Sequence, residues 1–339
     1  MTTSRIPTGP TGVVLLPAPR ATGDWFVIAW RLVQWNLFQV WRRVLTKVLL
    51  GILLGVFVLE VAVLVFASAA SDASTSGSLG AIARAQLTFP LSISLTASYA
   101  GLMGVVLLSI IAGALVGGEY GFSTQRLALS RGVSRAQALA AQVGALAILA
   151  GGVVAALMAL GALIGVTIGP ALGGTPGAFS VGALPQLVSF WAATTLRLLV
   201  YSLIALFLAT LGRSTAAGVG GALGFMVVEV IVSNVLLAII TFQRVVETRG
   251  GQVLTAPAGP TTQVLIGVLN GFVKTNADAL GAAAQLGPLN LTGDTTISRL
   301  VGQLLAPPGT LQALLVLGLY AAALIGGSFL LVQRRDVRD

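Results

Sequence analysis

Six long, nearly uninterrupted apolar stretches constrain this chain of 339 residues more than any other feature. A helix needs about 20 apolar residues to cross a hydrocarbon core of about 30 Å. Only 9% of the residues are charged and 56% are hydrophobic, whereas soluble domains carry about 25% charged residues. Because the stretches are continuous rather than alternating, they do not fit β-barrel strands. We therefore predict an all-α, polytopic membrane protein with six transmembrane helices. The predicted spans are Val48–Ala70, Leu91–Gly117, Ala138–Val166, Ala183–Leu211, Thr215–Ile240 and Leu311–Val332.

The distribution of Lys and Arg predicts the orientation. Six spans place both termini on one side, where thirteen of the nineteen basic residues lie; five lie on the opposite side, and Arg197 lies within a span. Cytoplasmic loops carry the excess of basic residues, so we predict that both termini are cytoplasmic. The net charge of +9 then reflects membrane orientation, and no nucleic-acid partner is predicted.

The chain divides into a flexible cytoplasmic N-terminus (1–23), an interfacial amphipathic helix (24–47) and the six-helix domain (48–339). Residues 24–47 hold four of the five tryptophans, interrupted by Arg and Gln at helix-compatible spacing. Tryptophan favours the lipid headgroup region, so this helix is predicted to lie on membrane lipids. The alternative is that residues 24–47 form a long cytoplasmic start to the first span.

The loops differ greatly in length. Only a few residues around Arg213 join the fourth and fifth spans, which predicts a tight antiparallel hairpin. Residues 241–310 form a large extracytoplasmic segment. Within it, Gln263–Val273 is apolar but too short to span the membrane, so we predict a surface or re-entrant helix there.

Glycines four residues apart recur within the spans and permit close helix approach. They predict tight packing or an oligomer without locating the interface. The pairs are Gly51 and Gly55, Gly113 and Gly117, Gly161 and Gly165, and Gly220 and Gly224.

Three ionisable residues, Glu60, Arg197 and Glu229, lie inside predicted spans. A charge at the bilayer centre costs at least about 2.5–3.5 kcal/mol, so each requires a partner or a wet cavity. Arg197 lies sixteen residues before Arg213 and Glu229 lies sixteen after it, which places both about 24 Å from the turn. We therefore predict an Arg197–Glu229 ion pair, which Glu60 joins unless it faces another copy of the chain. Such charges form either a polar element of a substrate path or gate, or a structural pair that fixes helix register.

The segment 118–135, between the second and third spans, is predicted to be a break, a short helix and a second break. A hydroxyl of Ser123 or Thr124 can cap the short helix, and Gly132 can end it with a positive φ. Ser134 can cap the helix of the third span. The segment is either a surface that a cytosolic partner grips or a basic interfacial turn. Its apolar ridge and flanking charges are Leu127, Leu129, Arg126 and Arg131.

Three short runs, 119–124 (Glu-Tyr-Gly-Phe-Ser-Thr), 127–129 (Leu-Ala-Leu) and 131–135 (Arg-Gly-Val-Ser-Arg), continuing to Leu139, resemble the signature of ABC-2 type transporter permeases. In that family an acidic residue ends the second span, a Gly-x-x-Thr-like run opens a coupling helix, and an Arg-Pro-Val-Ser-Arg-like turn leads into the third span. Gly132 stands where the family usually has proline, and Gln142 where lysine is common. The C-terminal Gln-Arg-Arg-Asp-Val resembles the family's exit from its sixth span.

The resemblance implies a permease subunit of a bacterial ABC exporter in the cytoplasmic membrane. Members pair two permease copies, identical or related, with two cytosolic ATPase subunits, and the short helix would sit in a groove of the ATPase. ATP and Mg²⁺ would be bound by that partner, because the only lysines, Lys47 and Lys274, belong to no phosphate-binding loop. The residues implied to couple to the ATPase are Glu119, Gly121, Thr124, Arg126, Leu127, Arg131, Ser134 and Arg135.

The composition also limits the other function classes. The chain has no His, no Cys and only ten acidic residues, so we predict no catalytic, cofactor-binding or metal-binding residues of its own. A secondary transporter often shows repeated halves, and no convincing internal repeat is present. A non-transporting subunit of a larger membrane complex is the alternative that the sequence excludes least well.

Overall fold

A computed structural model describes residues 22–70, 79–121, 134–175, 177, 179–249, 252–255, 259–285 and 308–334. Within these residues, six helices are long and apolar enough to cross a membrane, which confirms the predicted fold class and spans. The helices are α1 (Thr22–Arg42), α2 (Val44–Ala70), α3 (Leu79–Leu87), α4 (Leu91–Tyr99), α5 (Val105–Gly121), α6 (Arg135–Ala171), α7 (Leu184–Gly212), α8 (Thr215–Arg244), α9 (Pro260–Leu269), α10 (Val273–Gln285) and α11 (Thr310–Arg334).

The first span is α2, and the second consists of α4 and α5, which are joined by a π-helical turn at Ala100–Gly104. The remaining spans are α6, α7, α8 and α11. The second and fourth spans are the most buried, and the first, fifth and sixth leave most of their surface uncovered. Exposed apolar surface of this kind is expected where helices contact lipid or another membrane protein.

Helix α1 lies ahead of the first span and ends at Arg42, before residue 47 where the predicted interfacial helix ends. The helical conformation is interrupted at Arg43, and the first span begins at Val44 rather than near residue 48. The side chain of Val33 packs against Ala141 and Ala145 of α6. The four tryptophans of α1 are 38–66% exposed. This exposure suits the predicted interfacial position, because the amphipathic tryptophan ring favours the headgroup region.

The third span is unusually long. Helix α6 has 37 residues, which corresponds to about 55 Å at 1.5 Å per residue and exceeds the hydrocarbon thickness of about 30 Å. The end that packs against α1 is the predicted cytoplasmic end. A helix of this length either tilts in the bilayer or extends past it, and its N-terminal end is covered by α1 on one face.

The turn between α7 and α8 is as tight as the sequence predicts. Arg213 adopts a left-handed conformation with φ of 50° and ends α7. The hydroxyl of Ser214 accepts a 3.1 Å hydrogen bond from the backbone N–H of Ala217 and caps α8. The two helices consequently run antiparallel from this point.

Two of the four glycine pairs lie at close helix contacts. A Cβ at Gly161 would lie 2.4 Å from Oγ1 of Thr96, and one at Gly117 would lie 2.3 Å from the backbone nitrogen of Thr215. Their partners Gly165 and Gly113 are similarly crowded. By contrast, a Cβ at Gly51, Gly55, Gly220 or Gly224 would meet no atom within 4 Å.

The segment after α8 begins with a two-stranded antiparallel sheet that the sequence analysis did not predict. Strand β1 (Val245–Arg249) pairs with β2 (Gln252–Thr255), and Glu247 faces Leu254 in the register. The hairpin leads into α9.

Helices α9 and α10 form a hairpin that turns back beside the middle of the spans. Thr262, near the start of α9, donates a 2.9 Å hydrogen bond to Gln243 at the end of α8. At the turn, the backbone N–H of Lys274 bonds to Glu229, halfway along α8. Gln186 at the start of α7 donates to the carbonyl of Gln285 at the end of α10. The hairpin therefore contacts α8 at mid-length, and the surface and re-entrant alternatives for Gln263–Val273 both stay predictions.

Candidate functional site

The guanidinium of Arg197 pairs with a carboxylate that the sequence analysis did not consider. Its Nη1 lies 2.6 Å from Oδ1 of Asp278, on α10. The other carboxylate oxygen of Asp278 lies 2.7 Å from Nζ of Lys274, one helical turn earlier. Two cations therefore share one carboxylate.

The predicted Arg197–Glu229 ion pair is wrong. Glu229 is 4% exposed and instead accepts hydrogen bonds from the Tyr201 hydroxyl and from the backbone N–H of Lys274, the latter at 2.9 Å. The carboxylate thus lies at the N-terminus of α10, where unpaired N–H groups and the helix dipole favour a negative charge. Helix α10 supplies a separate partner to each of the two charges.

Glu60 does not join this cluster. It makes no hydrogen bond or ion pair with any residue that the structure describes. One turn earlier on α2, the ring of Phe57 packs against Tyr99, with centroids 5.2 Å apart. The hydroxyl of Tyr99 donates to the carbonyl of Leu53. Whether Glu60 faces a second copy stays a prediction.

The turn between α9 and α10 is held by its own polar contacts. The Asn276 amide donates 2.7 Å hydrogen bonds to the carbonyls of Asn270 and Phe272. From α11, the Tyr320 hydroxyl donates to the carbonyl of Gly271. These bonds satisfy backbone carbonyls at the turn that would otherwise lack a donor. They fix the position of Lys274 and Asp278.

A cavity of about 140 Å³ lies where the second span, α7 and α10 meet. Arg197 and Asp278 lie on its wall, together with the hydroxyl residues Ser98 and Thr194. The π-helical turn runs along the same wall, and a Cβ at Gly101 would lie 3.1 Å from Nη1 of Arg197. The absence of a side chain at Gly101 therefore makes room for the guanidinium. Such π-helical turns frequently occur at functional sites.

A second polar arrangement lies at the predicted cytoplasmic end. Nε2 of Gln142, on the third span, donates a 2.7 Å hydrogen bond to the carboxylate of Glu119 at the end of the second span. These residues border the segment 122–133. A glutamine here can donate to the carboxylate as a lysine would, but without a charge.

The C-terminal border of the segment 122–133 is also held by hydrogen bonds. Ser134 caps α6 in a reciprocal capping box with Gln137, as the sequence predicts for Ser134. The guanidinium of Arg135 donates to the carbonyls of Val332 and Gln333 near the end of α11, at 2.7 and 3.2 Å. Arginine commonly satisfies the last carbonyls of a helix in this way. The backbone of Gly121 lies at the end of α5. Thr124, Arg126, Leu127 and Arg131 lie outside the described residues.

Residues 85–269 match the family described as "Protein of unknown function (DUF2705)", and the match covers more than half of the chain. The chain belongs to this family. No curated protein matches the chain.

The DUF2705 match covers the Glu119–Gln142 contact in full and the group around Arg197 only in part. It includes Glu119, Gln142, Arg197 and Glu229, and it ends at residue 269. Lys274 and Asp278 follow directly after it. The carboxylate that pairs with Arg197 and the backbone N–H that binds Glu229 therefore come from α10, outside the matched region.

The structure gives no sign of a metal centre in the part of the chain that it describes, because no three acidic residues are grouped there. Tyr201, Lys274 and Asp278 were not among the site residues predicted from the sequence. The spacing of Lys274 and Asp278, four residues apart after an apolar stretch, was the available signal.

Proposed function

We propose that this DUF2705 protein is the permease subunit of an ATP-driven transporter, acting as an exporter in the bacterial cytoplasmic membrane. ATP and Mg²⁺ would be bound by a separate cytosolic ATPase. The observation that carries the proposal is that both borders of the segment 122–133 are tied to spanning helices. Glu119 is bonded to Gln142 at one border, and Arg135 is bonded to the end of α11 at the other.

These bonds supply a route for mechanical coupling. The second span, in which α4, the π-helical turn and α5 follow one another without a gap, and α6 are each long enough to cross a membrane. A displacement of the segment between them would therefore move both spans. The contact of Arg135 with Val332 would pass the same displacement to the sixth span. A surface segment without such hydrogen bonds would move without displacing the spanning helices.

A second copy of the chain completes the proposed permease. The uncovered glycines Gly51 and Gly55 lie on α2, and Gly220 and Gly224 lie on α8. Glycines at this spacing allow close helix association in lipid. Glu60 lies on the same helix as the first pair and has no ion-pair partner among the described residues. A polar partner from a second copy would reduce its cost in the membrane.

Purification of the tagged chain in mild detergent from its own cells tests the proposal. An ATPase subunit should co-purify, and Arg126→Glu should abolish that association because it reverses a charge on the proposed contact surface. Arg20→Glu, also on the predicted cytoplasmic side but outside the segment, is the matched control. Reconstituted chain that transports with an ion gradient and without any ATPase would contradict the proposal.

A further inference from the structure

We propose that one face of α1 binds the headgroups of anionic phospholipids in the cytoplasmic leaflet. The face is formed by Arg31, Trp35, Phe38 and Arg42, all of which are exposed, and is called the outward stripe. This inference does not depend on the transport function. It rests on the predicted interfacial position of α1, which can be tested separately from the preference for a headgroup.

Opposite faces of α1 have different surroundings. Ala29, Val33, Asn36 and Val40 recur at the spacing of a single helix face, and all four are buried. Val33 packs against α6, and Val40 belongs to the main core. The outward stripe has the same spacing shifted by two residues, which places it about 200° around the helix. It therefore lies on the face opposite the one that is bound to the protein.

The members of the outward stripe contact one another. The rings of Trp35 and Phe38 are stacked, with centroids 6.0 Å apart, and the guanidinium carbon of Arg42 lies 4.8 Å from the centroid of Phe38. A guanidinium is weakly hydrated and stacks on aromatic rings. Two rings that favour the headgroup region thus lie between two guanidiniums, Arg31 and Arg42, about 16 Å apart along the helix.

The exposed cations of this region have no carboxylate partner. The side chains of Arg31, Arg42 and Lys47, which lies in the first turn of α2, form no hydrogen bond or ion pair with any residue that the structure describes. Arg43 differs, because its guanidinium donates a 2.8 Å hydrogen bond to the carbonyl of Ala114 on α5. The charges of the outward stripe are therefore available to an external anion.

An anionic phospholipid fits this combination of groups better than a zwitterionic one. In phosphatidylcholine the ammonium of the headgroup lies beside the phosphate and offsets its charge, whereas phosphatidylglycerol has no such cation. An arginine can form two parallel hydrogen bonds to a phosphate. A basic residue near an anionic membrane surface contributes about a fivefold preference. The acyl chains of the same lipid would contact the exposed rings.

Quenching of tryptophan fluorescence by brominated phospholipids tests the proposal on the full chain in bilayers. Four of the five tryptophans lie on α1, so the quenching reports mainly the lipids beside this helix. Phosphatidylcholine brominated close to the glycerol backbone should quench the emission if α1 lies at the interface. If it leaves the emission largely unquenched, α1 does not lie there and the proposal fails.

The preference for a headgroup is measured in the same bilayers. As a minor component of phosphatidylcholine bilayers, brominated phosphatidylglycerol should quench like an at least about fivefold larger fraction of brominated phosphatidylcholine. Equal quenching by the two lipids at equal fractions would overturn the proposal, even where both lipids show α1 to be interfacial.

Paired substitutions locate the preference. Arg31→Gln combined with Arg42→Gln should reduce quenching by brominated phosphatidylglycerol nearly to the level of brominated phosphatidylcholine. Arg213→Asn combined with Arg334→Gln removes the same charge from two exposed arginines outside α1, on the predicted cytoplasmic side, and should keep the wild-type preference. Asparagine tolerates the left-handed backbone of Arg213. Equal losses in both pairs would reduce the effect to net charge and overturn the proposal.

Two further measurements exclude other causes. The Arg31→Gln/Arg42→Gln variant should keep the wild-type Tm in detergent, because neither guanidinium is hydrogen-bonded to a described residue; its lost preference would then not reflect unfolding. An acidic protein surface is the other occupant that the charges allow. Reconstitution together with any co-purified protein should leave the quenching by brominated phosphatidylglycerol unchanged. Loss of that quenching would show that a protein covers the outward stripe and would overturn the proposal.

Discussion

Gln142 donates a hydrogen bond of 2.7 Å to the carboxylate of Glu119 and so joins the ends of the second and third spans. The two residues are 23 positions apart, on either side of the segment proposed to contact an ATPase. A neutral donor at this position holds the carboxylate with less electrostatic attraction than a lysine would. The strength of this contact is therefore adjustable by a single substitution.

Replacing Gln142 tests the importance of this contact. Gln142→Leu removes the donor to a charged acceptor and should lower the free energy of unfolding by about 1.5 kcal/mol. Gln142→Lys should retain or increase stability because it restores donation with a charge. Thermal unfolding in detergent would rank the variants, with Gln312→Leu, an exposed position on α11, as the control. A Gln142→Leu protein as stable as the wild type would show that the bond contributes nothing.

The pairing of Arg197 is testable by double-mutant cycles. Arg197→Gln leaves Asp278 with one cation and should destabilise the chain by about 1–3 kcal/mol; since both side chains are partly exposed, this is less than for a fully buried pair. In the Arg197→Gln/Asp278→Asn double variant, the loss should be smaller than the sum of the single losses. When Arg197→Gln is combined with Glu229→Gln, the two losses of stability should be closer to additive. A stronger coupling to Glu229 than to Asp278, measured by thermal unfolding, would contradict the structure.

The wrong partner predicted for Arg197 shows which positions in the site follow from the sequence and which depend on tertiary contacts. Equal spacing on either side of Arg213 correctly indicated one depth for Arg197 and Glu229, since both contact α10 within one turn of that helix. The position of α10 itself was not predictable from hydropathy. Its polar residues Lys274, Asn276 and Asp278 are typical of an aqueous segment, and only tertiary contacts bring them beside the spans.

The spans themselves were predictable because each must be long and apolar to cross the bilayer. Glycine spacing was less informative. Gly161 and Gly51 each belong to a pair of the same spacing, yet only the first lies against another helix. Which face of a helix is covered depends on the packing of all spans together, and no local pattern encodes it.

Substitution of Gly161 tests one of these close contacts. Gly161→Ala places a Cβ 2.4 Å from the Thr96 hydroxyl and 2.7 Å from the Ser92 carbonyl, so it should destabilise the chain by about 1–3 kcal/mol. Gly152, on the same helix, has no atom within 4 Å of a Cβ position. Gly152→Ala should be neutral or stabilising by up to about 1 kcal/mol. Comparison of the Tm values in detergent checks both, and equal values would disprove the close contact.

The proposed second copy predicts an effect at the uncovered glycines. If α2 forms the interface, Gly51→Leu combined with Gly55→Leu should shift the chain from dimer to monomer without lowering its Tm, because neither side chain meets an atom within the protomer. Light scattering in detergent measures the mass of the protein particle and so distinguishes a dimer from a monomer. Gly318→Leu, an equally open position on α11, should leave the dimer intact. A wild-type chain that is monomeric at all concentrations would remove this part of the proposal.

The depth of the hairpin formed by α9 and α10 can be measured by cysteine labelling, since the chain contains no cysteine of its own. Thr261 and Val268 are both exposed on α9, but Thr261 lies near the end of α8 and Val268 lies near the tip beside Gly271. Thr261→Cys should react rapidly with a membrane-impermeant maleimide, whereas Val268→Cys should react slowly because hydrocarbon excludes the reagent and disfavours the thiolate. Both thiols should react equally after denaturation. Equal reactivity in intact membranes would place α9 at the surface and exclude the re-entrant arrangement.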